Sequence, residues 1–581
     1  MAETIISPGV FTRENDLTFV TPAPAEAGTA FIGPTVKGPV EIPTVVTSYG
    51  QYQRIFGSTF ESGSTKQEFL TSIAVRSFFN QGGSTALVSR VVSGDFTRAT
   101  STKITASAVS PEPFTLETLG EGIIFNNSTG VDDPGTQFAS SSALVSGSED
   151  NLRWEISGIN NANGTFTLSV RRGDDNAKEK VVLETFTNLS LDPNSPNYIA
   201  ARVGDQVQTI SGDSTYIQVT GSYVNRSNYV RVASVNIDTL NYVGTDGLTV
   251  GSDSAGISYS GSLPIASSGS FHGATGDIIT GGDVYYNGFT TTNIQGLAAT
   301  DYANVITLLG NKDDFQFNVI TAPGLLAHLA NHSVQVNAII SLAETRGDCI
   351  AVIDASEQGD APSTAVTNAN TLNTSYAATY YPYLQVGTET GKNQFVPPSV
   401  VIPGVYAAND NSSAPWFAPA GLVRGGIPGV IQAERKLTKA HRDTLYDANI
   451  NPIATFPGTG IAVFGQKTLQ KKATALDRVN VRRLLIELKK FFGDQARNLV
   501  FEQNTIATRN RFLAAVNPYL ESVVQRQGLY AYRVVMDDTN NTADVIDRNQ
   551  LVGQVFIQPA KTAEFIVLDF TIEPTGASFA V

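Results

Sequence analysis

Four histidines and a single cysteine bound the side-chain chemistry available to this chain: His272, His328, His332, His441 and Cys349. His328 and His332 stand four apart in a stretch read as helix, a spacing that can place two imidazoles on one face as zinc ligands. The intervening "HLANH" lacks the glutamate of a metalloprotease helix, and one cysteine cannot complete a cysteine-rich site. An ordinary helix surface is the expectation, with no metal. Cys349 lies in "DCIAVID", whose apolar flanks read as a buried strand and not as the surroundings of a nucleophile. "VGTETGKN", around Gly391 and Lys392, is a residue short of a phosphate loop between its glycines, and Asn393 stands where the magnesium-binding hydroxyl belongs. "FPGTGIAVFG" has Gly458 and Gly460 but no third glycine of a dinucleotide fingerprint. Both read as turns. No catalytic residue, cofactor or metal site is expected, and an enzyme is the disfavoured reading.

The strongest local signal is cationic. In "LDRVNVRRLLIELKKFFGDQARN", at about 100° per residue, Val481, Leu484, Leu485, Leu488, Phe491 and Phe492 share one arc. Arg478, Arg482 and Lys489 form a row elsewhere, flanked by Arg483 and Lys490. The chain as a whole carries a net charge of -14. Residues 467–511 hold 11 basic and 4 acidic side chains, whereas residues 101–300 hold 9 basic and 20 acidic ones. Such a row is either a solvated face or a surface for an acidic partner. Nucleic acid is disfavoured, because no aromatics are placed for base stacking and the rest of the chain repels phosphate.

These side chains need a scaffold of 581 residues, too long for one core and read as about three to five domains. A hydrophobic content of 41% is ample for folding, and no run is apolar enough to span a bilayer. One cysteine excludes an internal disulfide framework and fits a reducing compartment. Residues 1–22 read as an extended arm: Val10 to Val20 mixes strand formers with Arg13, Glu14, Asn15 and Asp16, and Pro22 and Pro24 cut it off. No basic run followed by an apolar stretch marks a secretory signal. Residues 23–98 give a β-β-α-β order, with "TKQEFLTSIAVRSFFNQGG" as the helix. Residues 99–300 are Ser-, Thr- and Gly-rich with alternating Phe166, Leu168 and Val170, and read as inserted β-rich outer domains. Between 301 and 430, helices alternate with continuous apolar strands, the pattern of an α/β layer with parallel strands. Residues 431–573 read as α+β, with helices over Asp477–Phe492 and Thr505–Gln527 and a last strand whose Ile566, Leu568, Phe570 and Ile572 share one face. Residues 574–581 trail off as a second arm. The fold class is therefore multidomain α+β.

With these segments in view, the chain resembles the sheath proteins of contractile bacteriophage tails. "SPGVFTREND" looks like that family's N-terminal signature, and "VRRGDDNAKEKVVLETFTNLSLDPNSPNYIAARVGD" resembles its inserted-domain motif. "PPSVVIPGVYAANDNSSAPWFAPAG", "LYDANINPIATFPGTGIAVFGQKTL" and "RVNVRRLLIELKKFFGDQARNLVFEQN" are similar to its C-terminal half. Residues 200–300 are the least recognisable.

The resemblance implies a virion subunit, assembled in the host cytoplasm, that polymerises helically around a tail tube and contracts without nucleotide to drive the tube through the host envelope. Its implied partners are copies of itself, the tail tube protein, and baseplate and tail terminator proteins. It implies intersubunit arms at Val10, Phe11, Thr12, Arg13, Leu17 and Phe19, and at Ala577, Ser578, Phe579 and Ala580, which add to the C-terminal sheet of adjacent copies, with the strand of Ile566, Leu568, Phe570 and Ile572 as acceptor. It also implies that the basic helix (Arg478, Arg482, Arg483, Lys489, Lys490) faces the tail tube. The sheath of a genome-free injection particle is the alternative within the same mechanics, and a receptor-binding role for residues 100–300 is a further one.

Overall fold

The computed structural model describes residues 26–62, 65–106, 112–126, 149–175, 179–244, 246–278, 289–458 and 460–565. Both expected terminal arms, and Ile566, Leu568, Phe570 and Ile572, lie outside the described residues.

An eight-stranded sheet organises the described chain. Its spatial order is Thr44–Val46, Ala86–Arg90, Glu26–Gly33, Gln316–Leu326, Ile350–Asp354, Ala377–Tyr381, Asn451–Phe456 and Gly460–Val463. The six inner strands run parallel, and the two edge strands are antiparallel to their neighbours. Strand side chains alternate between faces. Ala30, Ile32, Ala351 and Ile353 therefore enter one core, beneath the Ala330–Arg346 helix. Phe31, Ile350 and Val352 enter the other, beneath the Leu70–Asn80 and Ile402–Ser412 helices and the head of the Val479–Arg497 helix. Both faces are covered, which is why these strands read as continuous apolar runs.

Strands from residues 26–90 and from beyond residue 316 thus share one sheet although more than 200 residues separate them. The excursion forms its own seven-stranded antiparallel sheet, drawn from strands between Arg98 and His272. Phe166, Leu168 and Val170 are fully enclosed in its core beside Trp154, Phe114 and Phe271. Its two ends meet: the Thr97 backbone N–H donates to the Thr275 carbonyl at 3.1 Å. Arg90, at the end of a core strand and fully buried, joins the two sheets. Its Nη1 donates to the carbonyls of Gly38 at 2.7 Å and Glu121 at 2.8 Å. Lys37 adds an ion pair to Asp150 at 2.5 Å.

Several expectations need correction. The first segment holds an additional helix, Tyr49–Phe56, started by the Ser48 side chain accepting from the Gln51 N–H, and a hairpin of Thr59–Ser62 with Thr65–Glu68. The stretch read as helix around His328 and His332 is helical only from Ala330, because Leu325 and Leu326 extend the preceding strand. The core sheet also reaches past residue 430, where sequence placed a domain boundary, since Tyr380 and Tyr381 pair with Asn451 and Pro452.

Candidate assembly interface

The candidate chemical residues are placed apart from any catalytic arrangement. His328 precedes the helix that holds His332, so the two imidazoles do not share a helical face. His328 Nε2 lies 2.9 Å from Glu357 Oε1, while His332 accepts from the Leu326 N–H through Nδ1 and meets the Thr290 carbonyl at 2.9 Å through Nε2. Among the described residues no three His, Cys, Asp or Glu side chains are grouped to hold a metal ion. Burial pushes the Cys349 thiol up to about 12, leaving it unreactive near neutral pH. Gly391 and Gly458 are turn residues between antiparallel strands, both at positive φ. Among the described residues no helix is long and apolar enough to cross a membrane.

The C-terminal module is built differently. Helices Val479–Arg497 and Ile506–Gln525 pack side by side, the second started by the Thr505 hydroxyl accepting from the Thr508 N–H. Leu484 and Leu488 from the first meet Phe512, Val516, Leu520 and Val523 from the second, over Trp416. An antiparallel ribbon, Leu529–Val535 with Gln554–Pro559, lies on this pair and turns Tyr532, Val534, Val555 and Ile557 inward. Tyr530, at a register irregularity between Leu529 and Ala531, and Phe556 are exposed. Among the described residues the ribbon has two strands, and neither outer edge has a ladder partner among them. A two-stranded ribbon is marginal by itself, and an added strand would complete it.

The basic row does not lie open along this helix. Arg482 and Arg483 are buried. Arg482 donates from Nε to the Ser375 carbonyl at 3.1 Å, with its guanidinium 4.0 Å over the Tyr376 ring. Arg483 pairs with Asp410 and lies over Tyr406. Lys489, exposed, reaches the Tyr376 hydroxyl at 3.0 Å, and Lys490 bonds Asn318. Arg478 pairs with Asp477 at 3.0 Å and with Glu564 at 2.7 Å. This corrects the expectation of a free cationic face: Arg482 and Arg483 clamp the helix onto the central layer. Their acceptors come from segments 73 to 107 residues away, so no local pattern announces them.

Side chains thus arranged brace the helices against the central layer. Residues 295–469 match the family model of the phage tail sheath protein central domain, and residues 471–573 that of the phage tail sheath C-terminal domain. The tail sheath protein of Vibrio phage KVP40 is 35% identical over 307 residues, covering 48% of this chain and 46% of that one. That of Enterobacteria phage T4 is 41% identical over 187 residues, covering 32% and 28% respectively. Over residues 295–469 and 471–573 the chain is therefore similar to the contractile phage tail sheath family. It spans half or less of the length of these two relatives. A sheath tail protein of Listeria innocua shares the fold, with a TM-score of 0.52 and 11% identity over 92% of this chain and 96% of that one.

Proposed function

We propose that this chain is the subunit of a contractile tail sheath, which polymerises helically around a tail tube and shortens to drive the tube through a host envelope. The observation that carries this reading is the match of residues 295–469 and 471–573 to the tail sheath central and C-terminal domains, and the two-stranded ribbon at Leu529–Val535 and Gln554–Pro559 is the sheet that added strands would extend. Residues Val10–Val20 of one copy and Ala577–Val581 of another supply the missing strands, joining copies through backbone ladders. Each ladder bond nets about 0.5–1.5 kcal/mol, so several per arm are needed to hold a lattice under load. Head-to-tail contacts that do not close make a helix, which suits a tube. Lys489, exposed, is what the basic row offers to an acidic tube surface. The energy source is a metastable extended lattice, and no nucleotide enters.

Deleting Ala2–Phe19 from the full chain tests this reading. The variant should stay a folded, soluble monomer that forms no striated tubes by electron microscopy, while the parent chain forms them. Normal polymerisation of the truncated chain would refute the arm mechanism.

A further inference from the structure

Two exposed features sit at opposite ends of the C-terminal helix pair. At one end, the connection between the helices carries Val500 and Phe501, which are 61% and 102% exposed. Phe501 has φ of 69°, a left-handed conformation that a side chain with a Cβ adopts at a cost. Ile506, at the start of the next helix, adds a third exposed apolar group, and Glu502 stands beside the tip. Here an aromatic knob is held out from a tight turn braced by two helices.

At the other end is a hole. A cavity of about 950 Å³ opens between Trp416, Phe464, Tyr530 and Phe565. The last three are exposed, so its mouth is apolar, and the Arg442 guanidinium lies 5.3 and 5.4 Å from the Phe456 and Phe464 rings. Four cations, Arg424, Lys439, Arg442 and Lys561, line it against two carboxylates, Asp443 and Glu564. Asn480, in the first turn of the Val479–Arg497 helix, and Gln527, just past the second helix, also line it. Phe501 lies beyond the far end of that first helix. At about 1.5 Å per residue, 19 residues set knob and hole about 28 Å apart. Phe501 therefore cannot fill its own chain's cavity.

We propose that the Phe501 tip of one copy seats in the Trp416–Phe464–Tyr530 cavity of the next, stacking the helix pairs head to tail. The occupant is a second copy because knob and hole face opposite ends of one rigid element, so that a copy stacked along the same axis brings the two together; Glu502, beside the tip, pairs with Arg511 at 3.3 Å. A contact of this kind repeats without closing and builds a filament. It rests on the sheath reading and adds a side-chain lock to the backbone arms.

The test uses the full-length chain, once tubes of the parent are seen by electron microscopy. Copies carrying Phe501→Cys and copies carrying Tyr530→Cys are mixed, polymerised and treated with a short bis-maleimide. Cross-linked pairs should form only in the mixture. Phe501→Asp should raise the concentration needed for polymerisation roughly thirtyfold or more, with the monomer's thermal melt unchanged. Phe501→Trp should retain assembly. Parent tubes without cross-linked pairs, or normal tubes from Phe501→Asp, overturn the proposal while leaving the sheath reading intact. So do Phe501→Asp tubes that form but no longer hold a tail tube, which would assign the tip to the tube. Cross-linking of Tyr530→Cys to Ala580→Cys within one isolated chain would show the cavity filled from its own end and also overturns it. If the parent forms no tubes, the sheath reading fails and this inference falls with it.

Discussion

Arg478 donates from Nε to Glu564 Oε1 across 2.7 Å, tying the start of the long C-terminal helix to the last described stretch of the chain. The Tyr446 hydroxyl donates to the other oxygen at 2.7 Å, and Gln466 adds a bond at 3.0 Å. The point from which residues 566–581 depart is therefore fixed against the central layer and the helix pair together.

That anchor responds to acid. Burial would raise the Glu564 carboxyl, but the bonds from Arg478, Tyr446 and Gln466 outweigh it and hold the group below its usual value of 4.5. The folded state thus binds protons less readily than the unfolded one, and the stabilisation is present above the usual carboxylate value and lost as pH falls through the lowered one. Limited proteolysis should show residues 560–565 becoming cleavable as pH falls through that lowered value in the parent chain. Glu564→Gln should show that cleavage at neutral pH.

Asp354 has the opposite sign. It ends a central core strand, fully enclosed, and accepts from the Ser399 N–H at 3.2 Å and the Ser399 hydroxyl at 2.5 Å. Burial outweighs these bonds and lifts the carboxyl to about 7. Its stabilising proton is held at low pH and lost as pH rises through that value. Relative to the parent, Asp354→Asn should gain thermal stability between about pH 4 and 7, with no further change above. A difference independent of pH would show that the group does not titrate in this range.

Arg90 should prove to be the coupling between the two large sheets. Arg90→Ala removes two hydrogen bonds, to the Gly38 and Glu121 carbonyls, at about 0.5–1.5 kcal/mol each, while the Gly38 carbonyl keeps the Glu121 N–H at 3.3 Å. Urea unfolding should then split into two transitions, with the inserted sheet separating from the core. One unchanged transition would show that other contacts couple the sheets.

Contraction of assembled tubes should release heat and not reverse on cooling, as expected when a kinetically trapped lattice relaxes. Scanning calorimetry of extended tubes reads this directly. An endothermic transition, or a requirement for ATP, would contradict it.

How much of this was legible in the sequence follows from how local each signal is. Phe31, Ile350 and Val352 lie in continuous apolar runs that report strands covered on both faces, and Phe166, Leu168 and Val170 report one covered face by alternation. The Tyr49–Phe56 helix escaped notice because two turns buried through Tyr52 and Phe56 give too short a period to register. The basic row was visible as charge, but its orientation was not. Arg483 finds Asp410, and Arg482 finds Ser375 and Tyr376, only after distant segments fold together. Aromatic rings beneath both guanidiniums are what make such burial tolerable, and the sequence offers them without addresses.

The meeting of Thr97 with Thr275 has an engineering consequence. Because the polypeptide leaves the main sheet and comes back at neighbouring points, the entire stretch between them is a replaceable cassette. A short turn can bridge the gap, or a foreign module with adjacent termini can take its place, without any main-sheet strand changing its neighbours.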